Sequence, residues 1–225
     1  MVEYKNVIVN KPWGFEYLVY ESSEVAVWLL FIRAHHQTSM HCHPRKTTGL
    51  LLLKGEAQLA FLADSKFISA PEKQMIRRGL FHSTRAVSQD GAYLLEIETP
   101  NDKKDLIRLL DSYGRENKGY EGSSHEALKT DKCLWITDPE LFELTDYSIA
   151  GITFSVETTN RLGFLDEKKD SDIVMFLKGG IGKSVDGNNL LATIPGDIGR
   201  VGILKKVIAE MEFVQDPTVF LVVST

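Results

Sequence analysis

Cysteine, membrane-length apolar runs and a surplus of positive charge are all scarce in this chain of 225 residues. Two cysteines, Cys42 and Cys133, make no disulfide framework and read as small core or surface thiols. No apolar run approaches the ~18 residues that suggest a membrane span. The opening stretch, MVEYKNVIVNKPWGFEY, lacks the basic start, apolar stretch and small-residue cleavage site of a signal peptide, so the cytoplasm is the expected compartment. A net charge of −5 gives no general pull toward nucleic acid or anionic membrane, and neither is expected as a partner. Local basic clusters can still bind a phosphate.

What the chain does have is ordinary globular composition, 43% hydrophobic and 25% charged, enough for one large core or two small ones. Short apolar or alternating runs separated by turn residues dominate: EVAVWLLFIRA, TGLLLLKG, EAQLAFLA, AYLLEIET, DIVMFLKGG and TVFLVV. Rich in valine, leucine and aromatics, they read as strands, and so many of them imply an all-β sandwich or barrel. Two middle segments, NDKKDLIRLLDSYGR and DPELFELTDYS, have helix-like starts and periodic apolar residues, which predict a few short helices. Glycine, serine and charge collect in residues 114–132, the best candidate linker.

The most informative stretch is SMHCHPRKTTGLLLLKG, residues 39–55. Histidines one residue apart on a strand project from one face, so His41 and His43 point together while Cys42 points away. His82 follows in IRRGLFHST. Three neutral imidazoles brought together in a barrel would make an open site for a divalent metal: zinc, iron, manganese or nickel. His35, His36 and His125 take the default role of hydrogen-bonded core or surface residues. Glu96 and Glu98 share a strand face by the same period-two rule. If that face is interior, one of them is a candidate general base or fourth ligand; if exterior, they form a polar rim.

These residues resemble the cupin superfamily, whose motifs are written G-x5-H-x-H-x(3,4)-E-x6-G and G-x5-P-x-G-x2-H-x3-N. His41, His43 and Gly55 fall on the first, Gly79 and His82 on the second. The departures are His35 for the first glycine, Thr48 for the glutamate ligand, and Pro71, Arg77 and Ala86 for the second motif's Gly, Pro and Asn. The resemblance implies a double-stranded β-helix, the jelly-roll barrel, with a metal at the three histidines. A metal-free alternative follows from epimerases of the same superfamily, in which His82 or His41 would act as general base. NKPWGFEY is similar to the segment that opens phosphomannose-isomerase-type sugar cupins, which gives Lys11 a phosphate-binding and Trp13 a sugar-stacking role; a turn anchored by a buried indole is equally open. Lys46, beside the histidines, is a candidate anion contact or a solvated surface cation. Arg108, Asp111, Tyr113, Gly114, Arg115 and Tyr120 carry a narrower similarity to the phosphomannose-isomerase-like cupins of surface-sugar pathways, and Arg108 and Arg115 are taken as substrate-binding.

The second half looks like a worn copy of the first. LLKGE from Leu52 aligns with FLKGG from Phe176, which sets His41, His43 and His82 opposite Leu165, Glu167 and Lys206. The expected architecture is therefore a bicupin, with residues 1–122 the metal-bearing barrel and 123–225 a linker and degenerate second barrel. A single cupin with a C-terminal extension is the alternative. The function expected is that of an isomerase or epimerase acting on a phosphorylated or nucleotide-linked sugar, with a carbohydrate- or effector-binding cupin and an Fe(II) oxygenase as alternatives. A homodimer is expected because cupin strands expose sheet edges.

Overall fold

In the computed structural model, residues 4–116 and 127–225 are described. The chain divides into two compact units, Met1–Trp135 and Ile136–Thr225. The first contains β1 (Val7–Lys11), β2 (Gly14–Glu21), β3 (Ala26–Ile32), β4 (Met40–Cys42), β5 (Thr47–Lys54), β6 (Glu56–Phe61), β7 (Ser65–Ser69), β8 (Glu72–Ile76), β9 (His82–Ala86), β10 (Ala92–Thr99), β11 (Ile107–Leu110) and β12 (Ala127–Lys129). One sheet runs β12-β1-β2-β3-β10-β5-β8 and the other β11-β4-β9-β6-β7. Counting β3 to β10 as eight strands, the orders are 1-8-3-6 and 2-7-4-5, the connectivity of a jelly roll. The six apolar runs read as strands from the sequence correspond to β3, β5, β6, β10 and two strands of the second unit.

Both sheets contribute to one core. Trp28, Leu30, Leu50, Leu52 and Leu94 come from the first sheet, Leu59, Ile68 and Ala86 from the second. Gly55 makes the β5–β6 turn at φ +89°, where an added Cβ would lie 2.6 Å from the Gly91 carbonyl oxygen; the turn needs glycine for both reasons. The candidate linker, residues 114–132, lies partly outside the described residues, as do Tyr120 and His125. Within it, β12 pairs antiparallel with β1 and so belongs to the first unit.

The two segments expected to be helical are not. NDKKDLIRLLDSYGR forms turns around β11, which pairs with β4 and sets Arg108 opposite His41. DPELFELTDYS forms turns leading into β13 (Leu144–Ile149). Their apolar spacing fits a helix, but pairing with neighbouring strands supplies the backbone hydrogen bonds that decide between the two states. The one α-helix among the described residues is α1 (Val201–Ile208), and it carries Lys206, the residue that the sequence alignment sets opposite His82 of β9. Among the described residues no helix is long and apolar enough to cross a membrane.

Besides β13 and α1, the second unit contains β14 (Ile152–Thr159), β15 (Ile173–Lys178), β16 (Ile181–Val185), β17 (Asn188–Leu191), β18 (Ile198–Arg200), β19 (Phe213–Val214) and β20 (Thr218–Val223). Its sheets run β13-β14-β20-β15-β18 and β17-β16-β19. If β14 is strand 1 and β20 strand 8, the orders become 1-8-3-6 and 5-4-7, with a 3-10 turn at Leu162–Leu165 where strand 2 would stand.

Candidate metal centre and acidic cavity

The ladder that creates the site is antiparallel. His41 on β4 lies directly opposite His82 on β9, and His43 follows just past the end of β4. The ring centroids of His41 and His82 are 4.4 Å apart, those of His41 and His43 5.0 Å, and those of His43 and His82 5.5 Å. Ligand nitrogens of all three lie within 4.8 Å of one another, so the trio can hold a metal ion.

The tautomers are set by the backbone. Each Nδ1 makes its hydrogen bond to a carbonyl oxygen: His41 to Ser39 at 2.8 Å, His43 to Asp105 at 2.6 Å and His82 to Leu80 at 3.0 Å. A ring that donates from Nδ1 presents a lone pair at Nε2, the arrangement a metal-binding histidine requires. His43 Nε2 is buried and has no hydrogen-bond partner. Burial pushes the pKa of His43 down to about 3, with Lys46 adding to the effect, and that of His82 down to about 4. His41 keeps some solvent access, yet burial of its ring and the adjacent His82 hold it well below the ordinary histidine range. All three rings are therefore neutral near pH 7, as metal ligands must be.

On the opposite wall, period-two alternation along β10 turns Glu96 and Glu98 inward. Across the ladders Glu96 pairs with Leu50 and Trp28, and Glu98 with Thr48. Both glutamates are buried, and their carboxylates lie within 4.8 Å of a His43 ring nitrogen. Lys46 Nζ donates to Glu98 at 2.6 Å and to the Asp102 carbonyl at 3.2 Å. Lys103 reaches Glu98 at 3.6 Å and Glu16 at 3.4 Å, and Lys11 reaches Glu16 at 3.6 Å. The result is a buried chain of alternating charge, Lys11–Glu16–Lys103–Glu98–Lys46, with Lys103 also 3.7 Å above the Trp28 ring. Burial works against ionisation of Glu98, but Lys103 and Lys46 outweigh it and hold the carboxyl below its usual range. Among the described residues Glu96 has no such direct pair: burial and the Glu98 charge push it up to about 7.

Behind the histidines Asp105 acts as a clamp. Its Oδ2 accepts the backbone N–H groups of Arg45 and Lys46 at 2.8 and 2.9 Å, while its carbonyl holds His43. No motif or spacing points to this residue, nor to Glu16 or Lys103. Their roles depend on where the β1–β2 hairpin and the segment after β10 cross the barrel, which no local pattern encodes. Arg108 donates to Ser39 Oγ at 3.1 Å and to the Arg115 carbonyl at 3.2 Å, and Arg115 pairs with Asp111 at 2.6 Å.

These groups surround one cavity of about 60 Å³. Its lining includes every expected substrate-binding residue, Lys11, Trp13, Lys46, Arg108 and Arg115, together with Glu96, Glu98, His41 and His43. Lys46, one alternative for which was a solvated surface cation, is 1% exposed. Trp13 is buried at 4%, as an anchored turn requires, while also lining the cavity. In the second unit, the positions opposite His43 and His82 are exposed: Glu167 lies in a turn and Lys206 on α1.

No protein-family model matches the chain, and no curated protein matches it. Among solved structures it is similar to KdgF from Halomonas sp., at 12% identity over 41% of this chain and 84% of that one, with a TM-score of 0.39. A conserved protein with a double-stranded β-helix domain from Klebsiella pneumoniae subsp. pneumoniae aligns at 14% identity over 44% of this chain and 86% of its own, with a TM-score of 0.40. A recombinant oxalate oxidase in complex with glycolate aligns at 24% identity over 35% of this chain, with a TM-score of 0.33; the match spans 43% of that protein. By its own strand order the first unit is a double-stranded β-helix, the jelly-roll barrel.

Proposed function

We propose that the first unit is a metal-dependent isomerase or epimerase acting on an anionic sugar. The observation that carries this reading is the convergence of three Nδ1-anchored neutral histidines with a buried carboxylate pair across one cavity. His41, His43 and His82 would hold a divalent ion, and the fit is supported by the donor set and by the orphaned Nε2 of His43. Bound there, such an ion supplies Lewis-acid polarisation of a substrate carbonyl. The chain's own groups do the rest. Glu96 takes the proton from the carbon beside that carbonyl and returns it, Glu98 is locked in place by Lys46 and Lys103, and Arg108 with the lysines holds the substrate's negative charge.

A second, inert barrel is part of the same proposal. It is supported by a second unit that repeats the strand order of the first less one strand. A homodimer is proposed from the exposed apolar side chains of Ile107, Leu109 and Leu110 on edge strand β11. The functional test is solvent exchange. Metal-loaded protein in D2O should incorporate deuterium beside the carbonyl of an anionic aldose or ketose, and Glu96→Gln should abolish it. Exchange undiminished in Glu96→Gln removes that residue from the mechanism, and no exchange with any anionic sugar removes the reaction.

A further inference from the structure

We propose that the Asp105 carboxylate is a positioning residue of the candidate metal centre: it sets the ring of His43 and, through the same turn, the ammonium of Lys46. The proposal rests on the three histidines being the ligands of that centre, and deepens it by assigning what orients them.

The three rings are not anchored alike. His41 and His82 hydrogen-bond through Nδ1 to the carbonyls of Ser39 and Leu80, each two positions back along the chain. Acceptors that near in sequence come with the strand itself. For His43 the acceptor is the Asp105 carbonyl, at 2.6 Å but 62 positions away. The main chain of His43 is held separately, its carbonyl accepting from the Gly79 N–H at 2.8 Å. The direction of this one ring therefore depends on where the segment after β10 passes the turn that follows β4.

The Asp105 side chain fixes that passage. It is buried, and its Oδ2 accepts two consecutive backbone N–H groups, those of Arg45 and Lys46, at 2.8 and 2.9 Å. Hydrogen bonds from backbone N–H groups to an ionised carboxylate are charge-assisted and belong to the stronger kind. Residues 43–46 are thus gripped at both ends by one residue: its carbonyl holds the His43 ring, and its carboxylate holds the two amides that follow Pro44. Lys46 leaves the same turn to donate to Glu98 at 2.6 Å. A displaced Asp105 would therefore disturb a metal ligand and the partner of the carboxylate pair together. Removing the carboxylate alone should act on His43 and spare the other two rings.

Nitrogen NMR of the histidine rings in metal-free protein reads this directly. In the wild type all three should show the Nδ1–H form; in Asp105→Ala, His43 alone should become a mixture of both tautomers. Zinc titration against a chelating dye should show an affinity about tenfold or more weaker in Asp105→Ala, the scale on which partners of a ligating histidine act. Asp105→Asn keeps an oxygen that can accept both N–H groups and should stay within about threefold of the wild type. Arg45→Ala removes an exposed guanidinium, leaves the backbone N–H in place and should change the affinity by less than about twofold. Far-UV circular dichroism checks folding, and Asp105→Ser, a milder truncation, carries the same test if Asp105→Ala does not fold. An unchanged His43 tautomer, equal loosening of all three rings, or Asp105→Asn as weak as Asp105→Ala overturns the proposal. The two readings fail separately: a wild type that takes up no zinc refutes the metal centre, and the ring spectra then decide alone whether Asp105 positions His43.

Discussion

The two units share a strand order, less one strand in the second, around opposite interiors. In the first, Leu94 faces Leu52 and Glu96 faces Leu50 across the β10–β5 ladder; at the matching places in the second, Phe220 faces Phe176 and Val222 faces Val174 across β20–β15. Leu165, Val201 and Leu204 join those aromatics and valines in one closed core, whereas His41 and its neighbours border a cavity. A jelly roll therefore needs no polar interior to close. The buried charges of the first unit are an expense of function, since burying ions costs several kcal/mol that only good geometry recovers.

That contrast is best broken from both sides. Phe220→Ala removes a fully buried ring from the second core and should cost about 3–5 kcal/mol, read by far-UV circular dichroism in denaturant, with metal content unchanged. In the first unit Lys46→Met removes the nearest partner of Glu98, leaving Lys103 at 3.6 Å, and should also cost about 3–5 kcal/mol, while adding Glu98→Leu should recover much of it by making this interior resemble the other. All three tryptophans, Trp13, Trp28 and Trp135, lie in the first unit, so their fluorescence reports its unfolding alone. A double variant no better than the single would mean that the charge chain is needed for closure.

A smaller effect is expected at the rim. Burial works to raise the Asp111 carboxyl, but the Arg115 side chain outweighs it and holds the group below the ordinary carboxylate range. A depressed folded pKa means stability that is present above the unfolded pKa of about 4 and is lost as pH falls through the lower, folded value. Asp111→Asn should cost about 1.5–3 kcal/mol at pH 7 and progressively less in acid. A cost independent of pH would assign the residue a packing role. Smallest of all, Glu167→Gln and Lys206→Ala sit on the exposed surface of the second unit and should change stability by less than about 0.5 kcal/mol.

The strands of both units were legible because β5, β10, β15 and β20 are short apolar runs bounded by turn residues, and the histidines because spacing on a strand fixes direction. What lay beyond the sequence was three-dimensional. Nothing local announces that Lys103 bridges Glu16 and Glu98, that Asp105 clamps His43, or that Arg108 sits in a strand instead of a helix. The alignment sets Leu52 of β5 opposite Phe176 of β15, but the β20 ladder runs two residues out of step with that alignment, and Lys206, set opposite His82 of β9, lies on α1. Backbone pairing reveals such shifts; an ungapped alignment cannot.

The central claim is that the first unit binds metal through three histidines and the second binds none. Elemental analysis of protein purified without an affinity tag tests it most directly, on the wild type, His43→Ala and Glu167→Ala. The account predicts about one divalent first-row ion per chain in the wild type and in Glu167→Ala, and a loss of tenfold or more in His43→Ala. A metal-free wild type that takes up no zinc, iron, manganese or nickel on dialysis, or full metal content in His43→Ala, would contradict it.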